Sequence, residues 1–191
     1  KGTFINRIPE KYDIKIDMNL STTQMIIDQG LKPGTKSLLV TEEELPKNYR
    51  NYFGGKDSKL KYLFIQRVRT ANEEPFVFSE AYLHDKFQKF KDYLSTYYGS
   101  IYDFINKFPE ETIVSTVVKI SAELADEKLS EKLMIGNNSQ ILVLEQVHYN
   151  KIKEALIISR EYYPHSYINL KVKIYNKYKK VGSVLIEYLG V

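Results

Sequence analysis

Two adjoining runs constrain this chain most. Leu60 to Thr70 and Pro75 to His84 are both rich in β-branched and aromatic residues, and only Ala71 to Glu74 separates them. Such runs read as strands, and a connection that short leaves only antiparallel pairing. Further on, Gln140 to Tyr149 and Ala155 to Tyr163 repeat the arrangement around Asn150 to Glu154. Two hairpins predict an antiparallel sheet as the frame. The 191 residues suit one domain, or one domain plus a linker. An apolar fraction of 43% is enough to fill one core.

The other segments supply helices and further strands. Ser21 reads as an N-cap with Gln24 three residues on, which predicts a short helix stopping at Gly30, before Pro33 and Gly34. Lys36 to Glu44 reads as a strand, and Asn48 to Phe53 as a helical turn before Gly54-Gly55. Phe87, Phe90 and Leu94 have helical spacing within Lys86 to Tyr98, and Gly99 breaks that pattern. Ser100 to Phe108 reads as a second short helix, halted before Pro109. Thr112 to Ser121 reads as a strand with Val114, Thr116, Val118 and Ile120 on one face. Ala122 to Met134 reads as a helix carrying Leu124, Leu129 and Leu133. Tyr167 to Tyr178 and Ser183 to Leu189 read as closing strands, and Lys1 to Leu20 as a leader without a sustained period. The expected fold is α+β: one antiparallel sheet with helices packed on it.

Several classes of function drop out. There are no cysteines, so there is no disulfide framework and no thiol chemistry. No apolar run reaches the ~18 residues a membrane helix needs. No secretory signal opens the chain, and a cytoplasmic location is the simplest expectation. A net charge of +4 is too small to argue for nucleic-acid binding by this chain. His84, His148 and His165 lack metal-ligand spacing and read as surface or packing residues. No phosphate-binding glycine loop or nucleophile elbow occurs, so no cofactor, no metal and no enzyme activity are expected.

What remains is a cationic pair. Arg67 and Arg69 lie two apart on a strand, so both point to one face, together with Leu63 and Ile65. Adjacent guanidiniums repel unless an anion lies between them, and their planar forks fit phosphate or carboxylate. Two surface arginines paired with local acids would give the same pattern. If Thr70 pairs with Pro75, Ile65 lies opposite Glu80, which then shares the arginine face and reads as a ligand contact or a cross-strand ion pair. One extra residue in the connection would reverse that parity. Ser100 opens a helix with Tyr102 just inside it, and Thr23 stands at the start of the first helix. Both helix starts present free N–H groups and hydroxyls to an anion, or are ordinary caps.

Taken in order, these segments resemble the UTRA domain, the effector-binding domain of the HutC branch of GntR-type bacterial regulators. The resemblance rests on Thr22 to Gly30 followed by Lys32-Pro33-Gly34-Thr35, on Arg67-Val68-Arg69 with Pro75 and Glu80-Ala81-Tyr82-Leu83, on Ser100-Ile101-Tyr102, and on Ile141 to Tyr149 with Ser159 and Tyr163. It spans roughly residues 20 to 175. Lys1 to Ile5 resemble the end of the wing of a GntR-type winged helix, which divides the chain into a wing remnant and linker (1–20) and the effector-binding, dimerising domain (21–191).

The resemblance implies a chorismate-lyase-like fold and a homodimer. It also implies DNA contact only through a separate winged-helix domain, and a small anionic effector such as a sugar phosphate. Carried over residue by residue, Arg67, Arg69, Ser100, Tyr102 and Thr23 would hold the phosphate. Glu80 would meet the ligand's hydroxyls, and Tyr163 would line the far wall. Ile157 and Pro164 stand where amino-sugar sensors of the family often carry an acid and an arginine. The alternatives on the same fold are a pyruvate-releasing lyase and a dimerisation module without a ligand.

Overall fold

A computed structural model describes residues 12–15, 21–54, 60–165 and 168–171. The frame is a six-stranded sheet in the order β2-β3-β4-β7-β6-β5, with every pairing antiparallel. Its strands are β2 (Pro33–Glu44), β3 (Lys61–Ala71), β4 (Glu74–Leu83), β5 (Ser115–Leu124), β6 (Gln140–Tyr149) and β7 (Ala155–Pro164). The central strands β3, β4 and β7 carry long buried runs, whereas β2 and β5 at the edges are half-exposed. The α+β class and the antiparallel sheet expected from the two hairpins are both present.

Among the described residues, four short α-helices pack on this sheet: α1 (Thr22–Asp28), α2 (Lys91–Ser95), α3 (Ile101–Ile105) and α4 (Glu127–Leu133). On one face, α2 and α3 cover Leu63, Ile65, Leu83, Leu156 and Ile157 with Leu94, Phe104 and Ile105. Beside them α1 places Ile26 against Phe76, Val77, Leu144 and Tyr163. On the opposite face α4 covers Val68, Phe78, Val143 and Tyr162 with Leu129 and Leu133. Leu45, Tyr49 and Phe53 cover Tyr62, Val147 and Ile158 on that same side.

Some expectations are corrected. The helix read over Lys86 to Tyr98 is a 3₁₀ segment, Asp85–Phe90, followed by the single turn α2. The helix read over Ala122 to Met134 starts later. Ala122 to Leu124 continue β5 in pairing with β6, and the Asp126 side chain caps α4 by accepting from the Leu129 N–H at 2.8 Å. Ladder bonds and a cap there outweigh the helical spacing of the leucines.

The leader also has structure. Residues Tyr12–Lys15 (β1) pair in parallel with Ile168–Lys171 (β8), the described part of the strand expected over Tyr167 to Tyr178. The strand read over Ser183 to Leu189 and the wing-like residues Lys1 to Ile5 lie outside the described residues.

The hairpin β3–β4 matters most for the site. Its turn residues Asn72 and Glu73 both have positive φ, 49° and 72°, as a two-residue hairpin loop demands. Thr70 pairs with Pro75 as expected, but Arg69 pairs with Val77, so Phe76 is an extra residue and β4 bulges there. From that point on, the register differs by one: Arg67 faces Ser79 and Gln66 faces Glu80.

Candidate functional site

The site grows from the sheet face beneath α1 and α3. Strand alternation lays its residues out in rows. One row runs Arg67 (β3), Ser79 (β4), Glu161 (β7); the next runs Ile65, Ala81, Ser159, Gln146. Beyond them Ile157 pairs with His148, and His148 with Thr116 on β5. Ser79, Ala81 and Ser159 are small, so a hollow of about 40 Å³ remains above them. The N-terminal residues of α1 (Ser21, Thr22, Thr23) and of α3 (Ser100, Ile101, Tyr102) close it from above. That space has room for about three waters at about 10–15 Å³ each.

The two arginines are the cationic wall. Arg69 is 3% exposed. Its Nη1 donates to the Tyr98 carbonyl at 2.7 Å and to the Thr35 hydroxyl, and its Nη2 donates to the Thr23 hydroxyl at 2.7 Å. Arg67 Nη1 donates to the Gly99 carbonyl at 2.8 Å. Every one of these partners is neutral. Among the described residues, neither guanidinium lies within 4.0 Å of a carboxylate. Burial, and secondly the neighbouring Arg69, lower Arg67 to about 10, and burial lowers Arg69 as well. Both remain cations at neutral pH.

The opposite wall is a polar network. His148 is 1% exposed, and the Tyr102 hydroxyl lies 2.6 Å from its Nδ1. The Thr116 hydroxyl lies 2.9 Å from the same nitrogen, and Nε2 lies 3.3 Å from the Ser159 hydroxyl. A neutral ring protonated on Nε2 lets Tyr102 donate to Nδ1 while Nε2 donates to Ser159. Burial pushes this imidazole down to about 3, so it is neutral at pH 7. Burial also pushes the Tyr102 hydroxyl well up. Beside them Glu161 accepts from the Tyr163 hydroxyl at 2.6 Å, from Gln146 Nε2 at 3.0 Å and from the Thr22 hydroxyl at 3.4 Å. Burial raises the Glu161 carboxyl in spite of these donors.

The structure thus brings together Arg67, Arg69, Thr23, Ser100 and Tyr102. Ser100 is buried and caps α3, its hydroxyl accepting from the Asp103 N–H at 3.2 Å. Tyr163 stands one step back: it is fully buried against Phe76 and Ile26 and is linked to the hollow through Glu161. Glu80 is not at the site. The bulge at Phe76 turns it to the other face of the sheet, where it accepts from Gln66 at 2.8 Å and from the Tyr162 hydroxyl at 3.2 Å and pairs with Lys128 at 3.4 Å.

Sequence reading missed Glu161 and His148. Each alternates in phase with its inward neighbours on β7 and β6, but only the register of β4 against β7 shows that this phase faces the arginines.

An antiparallel sheet carrying short helices over a polar hollow defines an α+β fold that solved structures share. The chain is similar to PhnF from Mycobacterium smegmatis (19% identity, TM-score 0.77, 87% of this chain and 73% of that one). It is similar to the effector domain of that protein solved alone (18% identity, TM-score 0.74, 85% of this chain and 100% of that one). It is also similar to the ligand-binding domain of a candidate GntR-family transcriptional regulator from Bordetella bronchiseptica (14% identity, TM-score 0.65, 76% and 89%). No curated protein sequence matches. The UTRA domain family model matches residues 28–169, and the chain belongs to that family.

Proposed function

We propose that this chain is the effector-sensing and dimerising domain of a GntR-type transcription regulator of the HutC branch. In this reading it binds a small phosphorylated metabolite, with sugar phosphates the first class to test, and catalyses no reaction. One observation carries the reading: a buried guanidinium, Arg69, and a half-buried one, Arg67, stand side by side with only carbonyls and hydroxyls as hydrogen-bond partners. Two cations face a single carboxyl, Glu161, across the hollow, and a desolvated charge left without full compensation is costly, so the arrangement suits a guest that supplies further negative charge. A phosphate offers the missing charge and enough acceptor oxygens for both planar forks. Thr23, Ser100 and Tyr102 add hydroxyls on the lid side.

The UTRA family match and the regulator domains among its structural neighbours support the sensor role. A separate winged-helix domain would contact DNA, in the cytoplasm. No described helix is long and apolar enough to cross a membrane. The homodimer belongs to the same reading, and β5, an edge strand among the described residues, exposes Val117, Ile120 and Leu124. An effector shifts DNA affinity only by binding two dimer arrangements unequally.

Thermal-shift measurements with a panel of sugar phosphates and inorganic phosphate test the site. At least one should raise the melting temperature, and Arg67→Ala should remove the rise. A rise that survives Arg67→Ala would place the anion elsewhere. Sedimentation at micromolar concentration tests the dimer.

A further inference from the structure

The far face of the sheet holds a larger cavity than the hollow. About 240 Å³ lies between the sheet and residues 46–49, against about 40 Å³ beneath α1 and α3. Its floor includes Phe64, Glu80, Tyr82 and Arg160, and Tyr49 stands at its wall. Strand pairing lays that floor out in two rows: Phe64, Tyr82 and Ile158, then Gln66, Glu80, Arg160 and Glu145. The bulge at Phe76 is what brings Glu80 here.

Three rings line the space. The Tyr82 centroid lies 4.6 Å from that of Phe64 and 6.1 Å from that of Tyr49. On the same face the protein's own cations already cover other rings: Lys128 Nζ is 5.7 Å from the Phe78 centroid, and the Arg160 guanidinium is 5.2 Å from that of Tyr162. Among the described residues no Lys or Arg lies over Tyr49, Phe64 or Tyr82.

The charges point the same way. Arg160 is committed to Glu123 and to the Tyr162 ring. Glu80 accepts from Gln66 at 2.8 Å and from the Tyr162 hydroxyl at 3.2 Å, and its cation, the exposed Lys128, stands off at 3.4 Å. Behind the wall, Glu145 accepts from the Tyr49 hydroxyl at 3.2 Å. Among the described residues no Lys or Arg nitrogen comes within 4.0 Å of Glu145, although the exposed Lys119 is next in its row. Burial, and then Glu145, push the Tyr49 hydroxyl up to about 12; burial, and then Glu43 and Glu80, do the same to Tyr82. A cation over these rings gains from their π faces and from the acids around them. The bonds Glu80 already accepts leave it a source of charge more than an acceptor. A methylated ammonium needs no acceptor, whereas a primary ammonium brings three donors to be satisfied.

From these rings and carboxylates we propose that the far-face cavity is a second binding site, taking a small, free methylated ammonium compound. Tyr49, Phe64 and Tyr82 surround the cation, and Glu80 supplies the nearest negative charge. The site stands apart from the anion site and does not depend on it.

Calorimetric titration of this chain with choline and with dimethylbutanol, its neutral isostere with carbon in place of nitrogen, tests the proposal. The two probes share a shape and differ in charge. The wild type should bind choline about tenfold tighter or better, as expected for a cation held by several rings and an acid. Tyr82→Leu and Glu80→Gln should each bring the two affinities within about threefold. Arg67→Ala, on the other face, should leave choline affinity unchanged. Equal wild-type affinities, or no choline binding at tens of millimolar, would overturn the proposal. So would a preference that survives Glu80→Gln, or one lost in Arg67→Ala, since either places the cation elsewhere. Should Tyr82→Leu fail to fold, Glu80→Gln, which keeps the size of the side chain, decides alone.

Discussion

His148 makes the stability of this domain depend on pH in a calculable way. Burial moves the imidazole from an ordinary 6.5 down to about 3, with the ring 1% exposed. Below pH 6.5 the unfolded chain takes up a proton there that the folded chain refuses. The contribution is therefore complete above pH 6.5 and is lost as pH falls toward about 3. The slope is about 1.4 kcal/mol per pH unit, so acidification to about pH 5 should cost about 2 kcal/mol through this residue alone. Glu161 works in the opposite sense: its raised carboxyl stabilises below the ordinary value of 4.5, and that gain is lost as pH rises through the folded value.

A comparison with His148→Gln isolates the histidine. The amide keeps a donor and an acceptor for Ser159 and Tyr102 but does not titrate. Urea unfolding of both proteins at about pH 7.5 and about pH 5 gives four free energies. The wild type should lose about 2 kcal/mol more than the variant between the two pH values, and contributions common to both proteins cancel. If both proteins lose the same amount, the imidazole titrates normally in the fold, and the picture of a dry, neutral wall opposite the arginines is wrong.

Other outcomes follow from the same geometry. Arg67→Met removes one of two like charges from a buried site, so the ligand-free protein should gain about 1–2 kcal/mol in urea while losing any response to phosphate. A drop in stability would mean that the bond to the Gly99 carbonyl and the attraction to Glu161 outweigh burial and the repulsion from Arg69. Gly34→Ala would bring a methyl group within 2.5 Å of the buried Thr70 hydroxyl. It should cost about 1–3 kcal/mol, read as a lowered urea midpoint. Glu80→Gln should leave phosphate affinity unchanged by calorimetry, because the side chain stands on the far side of the sheet.

Most of the frame could be read from local chemistry. The aromatic and β-branched runs on either side of residues 71–74, the Ser21 and Ser100 caps and the two-residue spacing of Arg67 and Arg69 are all short-range signals. They correspond to β3, β4, the starts of α1 and α3 and the cationic wall. Leu124 shows where such signals fail: its spacing to Leu129 and Leu133 fits a helix, but pairing with Gln140 holds it in β5. The carboxylate of the site failed for a similar reason. Phe76 is apolar and buried, as a regular strand residue would be, so nothing local marks it as supernumerary. The bond between His148 and Tyr102 joins residues 46 positions apart, and neither carries a local sign of the other.

That surplus residue has a consequence for how such a site can change. Each face of β4 carries its own inventory: Ser79 and Ala81 toward the arginines, Phe78, Glu80 and Tyr82 away from them. Shortening the connection by one amino acid would swap the inventories, trading an open floor for bulky rings and a second acid. The guest a domain of this kind accepts is thus governed partly by chain length at a turn that never meets it. A lineage could alter ligand preference there by insertion or deletion, with every contact residue left as it was.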